Sequence, residues 1–513
     1  MHFARRGYAV VNYTARGFGR SCGQEEESAA TPECLSRRSY VHLADQRWEA
    51  HDTQYLLGRL ADQGITRPRK IGVTGISYGG GQSIELALLR DRIRLRSGAF
   101  KRWTSPDGKR MEIAAAYPRW PWSDLVYSLE PNGRFVDFEP PDEGDSRHPL
   151  GVLKKSYTNG LYVRGKQGGA VYCGDPPRPP CDDPSADLTS QLARVNSGEP
   201  PDAEARRIAN EIFEFHQGFG LDGCRPPPIL VQSGWTDDLF PAPESIRLYR
   251  DLRSRFPGAP VSMQFGDLGH QRGANKDNSD RYFNDDGSDF FDRHLRGRTG
   301  TPAPGPGDVT AFTQTCPVDA SSDGPFLSGS YANLARDDVR FSSDGGLVTA
   351  GGGNPGTAAA FDPVANGNNP CKQTADEEAP GTVVVRGAED GGFTLMGLPT
   401  VRAQIDTTGD FGQLDARLWD VSPGPNAQQR LISRGTYRLR NDQDGALTFQ
   451  LFGNGYCFAP GHTAKLELLG QDDPFLRASN PVPPSPFTSV AVSDVRVSLP
   501  TAEANPGSGC RTP

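Results

Sequence analysis

The chain has 513 residues, which is enough for two or three domains, and a net charge of −8. It shows no basic stripe of the kind that binds nucleic acid and no apolar run of the roughly 20 residues that a membrane-spanning helix needs. Its nine cysteines do not cluster at metal-ligand spacings. We therefore expect no nucleic-acid partner, no membrane span, no metal and no cofactor.

The first informative segment is residues 70–88. Residues 70–74 are typical of a short central strand, and apolar residues at helical spacing run through 84–88. Between them, residues 75–79 form the pattern Gly-x-Ser-x-Gly. A strand, a sharp turn at a serine and a helix make up a nucleophile elbow, so Ser77 is predicted to be a catalytic nucleophile.

The same pattern also occurs at residues 19–23, around Ser21. No strand and helix flank that serine, and the acidic stretch at 25–27 is typical of a solvated loop. Context therefore favours Ser77 over Ser21.

Residues 124–225 interrupt the alternation of strands and helices with charged, proline-rich loops and a predicted helix near 203–215. Such an insertion is predicted to form a cap that shapes access to the site. Trp120, Trp122 and Tyr127 lie near its entry and are candidates for substrate contact. Packing in the core is an equally good interpretation for these three aromatic residues.

The acid is predicted in the loop at residues 235–241, which follows a predicted strand at 228–232. This loop contains Asp237 and Asp238, either of which could instead cap the next helix. We favour Asp237 as the catalytic acid because it comes first after the strand. Trp235, at the start of the loop, is a further candidate for substrate contact.

The histidine is predicted at position 270. Of eight histidines, His270 alone combines a predicted strand before it, at 261–266, with a position after the candidate acid. The chain order serine, acid, histidine is that of an α/β-hydrolase. A helix predicted around 289–295 ends this part of the chain.

A segment rich in proline and glycine at 301–308 is predicted to be a linker. Beyond it, short alternating runs at 382–385, 416–419 and 464–468 are typical of an antiparallel sandwich or jelly roll. The predicted fold class is therefore α/β with a C-terminal all-β domain. The predicted units are an α/β-hydrolase core at 1–123 and 226–300, a cap at 124–225, and a jelly roll at 309–513.

The cysteines indicate disulfides. Cys22 and Cys34 bracket one loop, and Cys173 and Cys181 bracket another. Isolated buried thiols are the alternative interpretation. Disulfides would indicate an oxidising compartment, extracellular or in the cell envelope, with the odd cysteine, Cys224, left free.

Several motifs together resemble the Xaa-Pro dipeptidyl-peptidase and cocaine esterase (CocE/NonD) family of α/β-hydrolases. They lie at residues 3–11, 16–21, 75–80, 234–237, 270, 418–421, 434–435 and 460–462. The resemblance covers nearly the whole chain. It implies a serine hydrolase that is acylated at Ser77, uses His270 as base and then as acid, and cleaves a peptide, ester or amide bond.

The resemblance also shows one departure. In that family an N-terminal portion supplies the first strands of the sheet and an oxyanion-hole tyrosine, whereas this chain begins at what resembles the fourth strand. The resemblance therefore predicts an N-terminal truncation. The backbone N–H of Tyr78 is the expected oxyanion donor.

Two alternatives remain open at this point. One is the choice of substrate between a small Xaa-Pro peptide and a general acyl ester or amide. Selection of a free amino terminus needs an acidic or polar clamp, for which Glu211 and Glu214 are candidates on the predicted cap helix. The other is a catalytically inactive fragment that acts as a binding module. The oligomeric state is left open.

Overall fold

The structure, a computed structural model, describes residues 2–24, 31–36, 38–141, 147–176, 178–221, 223–300, 302–366, 369–387 and 391–511. The acidic stretch at 25–27 and Thr301 of the predicted linker lie outside these ranges. Within them, no helix combines the length and the apolar character needed to cross a bilayer.

The helices and strands are numbered in chain order. The α-helices are α1 (His2–Arg5), α2 (Pro32–Ser36), α3 (Glu49–Asp62), α4 (Tyr78–Leu89), α5 (Leu125–Leu129), α6 (Lys155–Gln167), α7 (Leu188–Ser197), α8 (Ala203–Phe215), α9 (Ala242–Arg255), α10 (Asp277–Arg296) and α11 (Pro355–Ala360), and a 3₁₀-helix spans Tyr331–Asn333. The strands of the first half are β1 (Ile71–Ile76), β2 (Arg92–Arg94), β3 (Phe100–Arg102), β4 (Ile113–Arg119), β5 (Ile229–Gly234), β6 (Val261–Gly266), β7 (Val309–Ala311) and β8 (Phe326–Ser328). Those of the second half are β9 (Asp337–Thr349), β10 (Gln373–Ala375), β11 (Val383–Arg386), β12 (Phe393–Gly397), β13 (Thr400–Thr408), β14 (Gln413–Val421), β15 (Gln428–Arg438), β16 (Asp444–Gln450), β17 (Asn454–Phe458), β18 (Thr463–Leu469) and β19 (Ser489–Thr501).

The first sheet has the strand order β1-β4-β5-β6-β7-β8 and is parallel except for β8. Every residue of β5 and β6 is buried, as expected for central strands covered on both faces. Helix α10 approaches β4 so closely that a Cβ on Gly287 would lie 2.2 Å from the Tyr117 ring. The α/β fold class predicted from the sequence is confirmed.

Strands β7 and β8 follow the predicted linker, yet they pair with β6 and with each other in the first sheet. The strand pairing therefore places them with the α/β core and not with the C-terminal domain, whose start was predicted at residue 309. Each strand has three residues, which is too short for an alternating pattern to be visible in the sequence.

The C-terminal strands form two antiparallel sheets. One has the order β10-β15-β14-β18-β11, and the other has the order β16-β13-β19-β12-β17 with β9 added beside β19. Leu418 and Leu466 of the first sheet and Val401 and Val497 of the second are buried in one apolar cluster. This sandwich contains all three predicted runs, as parts of β11, β14 and β18.

Helices α5 to α8 lie in the predicted cap segment. Helix α8 spans the residues predicted for it, and the Asp202 carboxylate caps it by accepting from the Ala205 N–H. Helices α6 and α7 replace what the sequence indicated as loops. Helix α6 contains Gly160 and Gly165, which weaken a helix, and only Tyr157 of its residues is buried, so no apolar stripe marks it.

Four disulfides join Cys22 to Cys34, Cys173 to Cys181, Cys316 to Cys371, and Cys457 to Cys510. Cys224 is a free cysteine. The predicted disulfides are confirmed, including both loop-closing pairs and the identity of the unpaired residue.

We predict that the disulfides contribute unequally to stability. The bond from Cys316 to Cys371 spans 55 residues and that from Cys173 to Cys181 spans 8. Loop-closure entropy then gives contributions of about 4 and about 2.5 kcal/mol, respectively. Denaturant unfolding of the two paired Cys→Ala variants measures the difference. An equal or larger loss from opening the shorter loop would contradict the prediction.

Candidate active site

Ser77 lies between β1 and α4 in a sharp turn. Its φ of 57° and ψ of −113° are unusual for a residue with a side chain, and such strain is characteristic of functional turns. Its N–H donates to the Arg119 carbonyl at the end of β4, at 3.0 Å, and its own carbonyl accepts from Gly81. These bonds hold the serine at the carboxyl end of the sheet, where it is half-buried.

The glycines around Ser77 allow this turn. A Cβ on Gly75 would lie 2.6 Å from the backbone of Gly79, and one on Gly80 would lie 2.4 Å from the Arg119 carbonyl oxygen. A Cβ on Gly81 would lie 2.3 Å from the Trp122 ring. The backbone can approach the serine this closely only where these positions carry no side chain.

His270 lies in the loop after β6 and reaches Ser77. Its Nε2 is 2.6 Å from the Ser77 hydroxyl oxygen, and its Nδ1 is 2.7 Å from Oδ2 of Asp237. A carboxylate can only accept, so Nδ1 carries the proton and the neutral ring leaves Nε2 as an acceptor for the serine hydroxyl. Gly269, at a φ of 123°, brings the loop within contact distance of Asp237.

Asp237 is fully buried in the loop after β5 and accepts from four N–H groups. Oδ1 accepts from the backbone N–H groups of Leu239 and Phe240, each at 3.0 Å. Oδ2 accepts from the ring and, at 3.3 Å, from the backbone N–H of His270. These bonds satisfy a charge that has no access to solvent.

Asp238 has a different role. Its two oxygens accept from the guanidinium of Arg272, both at 2.9 Å, and Arg434 of β15 lies 3.5 Å away. The two arginines hold the pKa of this carboxyl below its usual range, although burial acts in the opposite direction. Of the two aspartates left open by the sequence, the structure brings Asp237 to His270.

The competing serine is placed elsewhere. Ser21 donates its hydroxyl to the Thr14 carbonyl, and its neighbour Cys22 is held in a disulfide. Its surroundings are therefore those of an ordinary surface loop.

The four aromatic candidates for substrate contact separate into two groups. The Trp120 ring lies 6.1 Å from the His270 ring, and Trp122 lines a cavity beside Ser77. Tyr127 and Trp235 are buried in the core instead, Tyr127 under the Arg247 guanidinium and Trp235 stacked on Phe265. Neither lines the cavity, so the sequence-based assignment of these two to substrate contact does not match their positions.

The cavity beside Ser77 has a volume of about 430 Å³. Its walls come from α5 to α8 and from the loops that carry Ser77 and Asp237. Phe240 connects it to the histidine, because its ring is 5.1 Å from the His270 ring and 5.2 Å from the Trp122 ring. No sequence pattern indicated a role for Phe240, although it lies three residues after Asp237 in the predicted acid loop.

Lys154 was also missed, since a lysine is normally expected at the surface. It is fully buried, donates from Nζ to the Leu239 carbonyl at 2.8 Å and lies 4.6 Å from the centre of the Phe452 ring. Burial lowers its pKa to about 7, against the attraction of Glu244 and of the two aspartates of the acid loop. Lys154 therefore ties the cap to that loop.

The backbone N–H of Tyr78 is the first of helix α4 and lies next to the nucleophile position. The Tyr78 side chain has a separate structural role. Its hydroxyl accepts from the Ala44 N–H at 2.5 Å, and burial raises its pKa well above the usual value. The hydroxyl of this residue is therefore already engaged by the protein backbone.

Among the described residues, Asp45, Glu211 and His216 form one group with the composition of a metal site. The Arg47 guanidinium donates to both carboxylates of the group. The positive charge between Asp45 and Glu211 is thus supplied by the Arg47 side chain, so we interpret the group as an ion-pair network.

We predict opposite effects of alanine at two adjacent glycines. A Cβ on Gly80 meets a backbone carbonyl at 2.4 Å, whereas a Cβ on Gly79 meets nothing within 4 Å. Gly80→Ala should lower the free energy of unfolding by about 1–3 kcal/mol. Gly79→Ala should leave it unchanged or raise it by up to about 1 kcal/mol. Urea unfolding compares the two, and equal effects would contradict the close approach at Gly80.

We also predict a pH dependence from Lys154. Between pH 7 and the ordinary lysine pKa of 10.5, Lys154 is neutral when folded and protonated when unfolded. The unfolded state then binds more protons, so stability rises with pH by about 2 kcal/mol from pH 7 to 9. Lys154→Met should lack this contribution. Urea unfolding of both proteins at the two pH values measures it, and parallel pH dependences would contradict the assignment.

The chain resembles known proteins in both sequence and fold. Residues 1–93 match the sequence model of the X-Pro dipeptidyl-peptidase (S15) family. No match is found among curated proteins.

The fold is similar to those of several solved structures at low sequence identity. An α-amino acid ester hydrolase aligns at 16% identity and a TM-score of 0.52, over 89% of this chain and 80% of the other. A CocE/NonD family hydrolase from Staphylococcus aureus aligns at 12% identity and a TM-score of 0.53, over 95% and 79%. An aminopeptidase from a marine sediment Thaumarchaeota archaeon aligns at 13% identity and a TM-score of 0.50, over 89% and 80%. The family resemblance of the sequence motifs is thus confirmed, by the S15 family match over residues 1–93 and by the CocE/NonD α/β-hydrolase fold over most of the chain.

Proposed function

We propose that this protein is a serine hydrolase that cleaves an ester, amide or peptide bond through an acyl-enzyme. The observation that carries the proposal is the hydrogen-bonded chain from Ser77 through His270 to Asp237, with distances of 2.6 and 2.7 Å. A serine in a strained turn, an imidazole within reach and a buried carboxylate behind it are the three parts that acyl transfer needs.

In the proposed reaction, Ser77 Oγ attacks the substrate carbonyl carbon while its proton passes to Nε2 of His270. The tetrahedral intermediate collapses when His270 returns that proton to the leaving alcohol or amine. Water then attacks the acyl group on Ser77 with His270 again accepting and returning the proton, and the carboxylic acid product is released. Asp237 keeps the proton on Nδ1 and stabilises the imidazolium that forms at each step.

The oxyanion is assigned to the N–H of Tyr78. This group follows the nucleophile directly and lies at the N-terminus of the 12-residue helix α4, whose dipole favours negative charge there.

We propose that the substrate is a carboxylic ester or amide without a required free amino terminus. The two acids on α8 that were candidates to bind a free peptide amino terminus both have cationic partners. Glu211 is bound by Arg47, and Glu214 accepts from Arg94 at 2.7 Å. These ion pairs favour an esterase or acylase over an Xaa-Pro dipeptidyl-peptidase. The hydrogen-bonded triad favours an enzyme over a binding module.

The four disulfides support a location in an oxidising compartment, which we propose to be extracellular or the cell envelope.

The test is labelling of the whole chain with a fluorophosphonate. Wild type should react at one serine, and Ser77→Ala should abolish the reaction. Asp237→Asn should slow it by about 10³- to 10⁴-fold because the histidine loses the correct tautomer. Ser21→Ala is the matched control, since it removes the serine of the other Gly-x-Ser-x-Gly motif and should label like wild type. Folded wild type that does not label would refute the proposed activity.

A further inference from the structure

The cavity beside Ser77 is large enough for a substrate group. Its volume of about 430 Å³ falls within the range of about 300–1,000 Å³ found for small-molecule sites. Ser77 lies in its wall, and so does Phe240, whose ring makes a T-shaped contact with the ring of His270. A carbonyl at Ser77 would therefore have one of its substituents directed along this cavity.

The wall is mainly hydrocarbon. Its apolar side chains come from all four cap helices and include Leu125, Leu161, Leu192, Ile208 and Ile212. Each of these helices therefore contributes apolar surface to the space beside Ser77. A cavity of this kind binds a group that water solvates poorly.

Charge is scarce in this wall. Among the described residues that line it, Glu130 and Arg164 are the charged ones, and Arg164 is exposed to solvent. Burial raises the pKa of Glu130 to about 7, against the attraction of the arginines at 477, 438 and 194. An ammonium group in the cavity would lose its hydration and find little to replace it.

We infer that this cavity is the acyl site and that it takes an uncharged apolar chain or ring, so that the substrates are esters or amides of apolar carboxylic acids. This inference rests on the proposed hydrolase function and adds the class of acyl group to it.

The inference gives a rate dependence on chain length. Each methylene transferred from water into an apolar site should raise kcat/KM by about two- to fourfold until the cavity is full. This increase in kcat/KM applies to the acylation step, because the acyl chain of the substrate is already bound in the cavity in the transition state of that step.

The first experiment uses p-nitrophenyl esters from acetate to dodecanoate. The initial rate of p-nitrophenolate release is measured for each ester. Titration with a fluorophosphonate gives the concentration of active enzyme, by which each rate is divided in obtaining kcat/KM. A second pair, heptanoate and 6-aminohexanoate, compares a terminal methyl with an ammonium group at nearly constant length. We expect kcat/KM to rise from acetate through octanoate and the amino ester to be at least about tenfold slower than heptanoate.

The second experiment fills the cavity. Ile208→Trp and the half-buried Leu192→Trp should each lower the octanoate-to-acetate ratio of kcat/KM by at least about tenfold, since a bulkier side chain excludes the longer acyl group. The second variant is included because Ile208 is only 2% exposed and its replacement can impair folding. The control is Arg206→Trp. Arg206 lies in α8, as Ile208 does, but is exposed and does not line the cavity, so this variant should keep the wild-type octanoate-to-acetate ratio.

The outcomes separate the two proposals. If Ser77 does not label, the hydrolase function fails and the inference fails with it. If Ser77 labels but the rates are flat or fall with chain length, or the tryptophan variants keep the wild-type ratio, only the inference is overturned. Faster cleavage of the amino ester or of alanyl-proline p-nitroanilide, lost in Glu130→Gln, would show that the cavity binds an ammonium group.

Discussion

The site depends on the burial of the Asp237 carboxylate. A charge without solvent must be met by donors, and four N–H groups from two loops converge on it. Two of these donors, the N–H groups of Leu239 and Phe240, belong to the same loop as Asp237 and fix the conformation of that loop. The other two belong to His270. The same bonds therefore determine where the loops after β5 and β6 lie and how the imidazole is directed at Ser77.

The neighbouring Asp238 extends this constraint into the C-terminal sandwich. It pairs with Arg272, two residues after the histidine, and with Arg434 of β15. Arg434 also lies 3.4 Å from Asp472, which Arg417 contacts in turn. Removing one member of such a buried network leaves an unpaired charge, at a cost of about 3–5 kcal/mol. The all-β domain thus supports the loops of the site although it contributes none of the three residues of the Ser77–His270–Asp237 chain.

Sequence patterns predicted the parts of the site that follow strands. Ser77, Asp237 and His270 each come after a strand of the same parallel sheet, so their order along the chain translates directly into positions at one edge of that sheet. The aromatic residues had no such constraint, because a sequence does not show which way an isolated ring points. Trp235 consequently packs in the core, while Phe240, five residues later, reaches the histidine. Helix α7 was missed although Leu188, Leu192 and Val195 follow helical spacing, because a helix of 10 residues between proline-containing loops carries only this short apolar stripe.

The cavity persists because polar contacts fix its walls. An apolar cavity normally destabilises a fold, which relieves the cost by collapsing around it. Here Trp122 donates from Nε1 to the His216 carbonyl, and Lys154 donates to the carbonyl of Leu239. Arg47 links Glu211 of α8 to Asp45. These bonds are directional, so the helices cannot move inward without leaving buried donors unpaired, and the space beside Ser77 stays open.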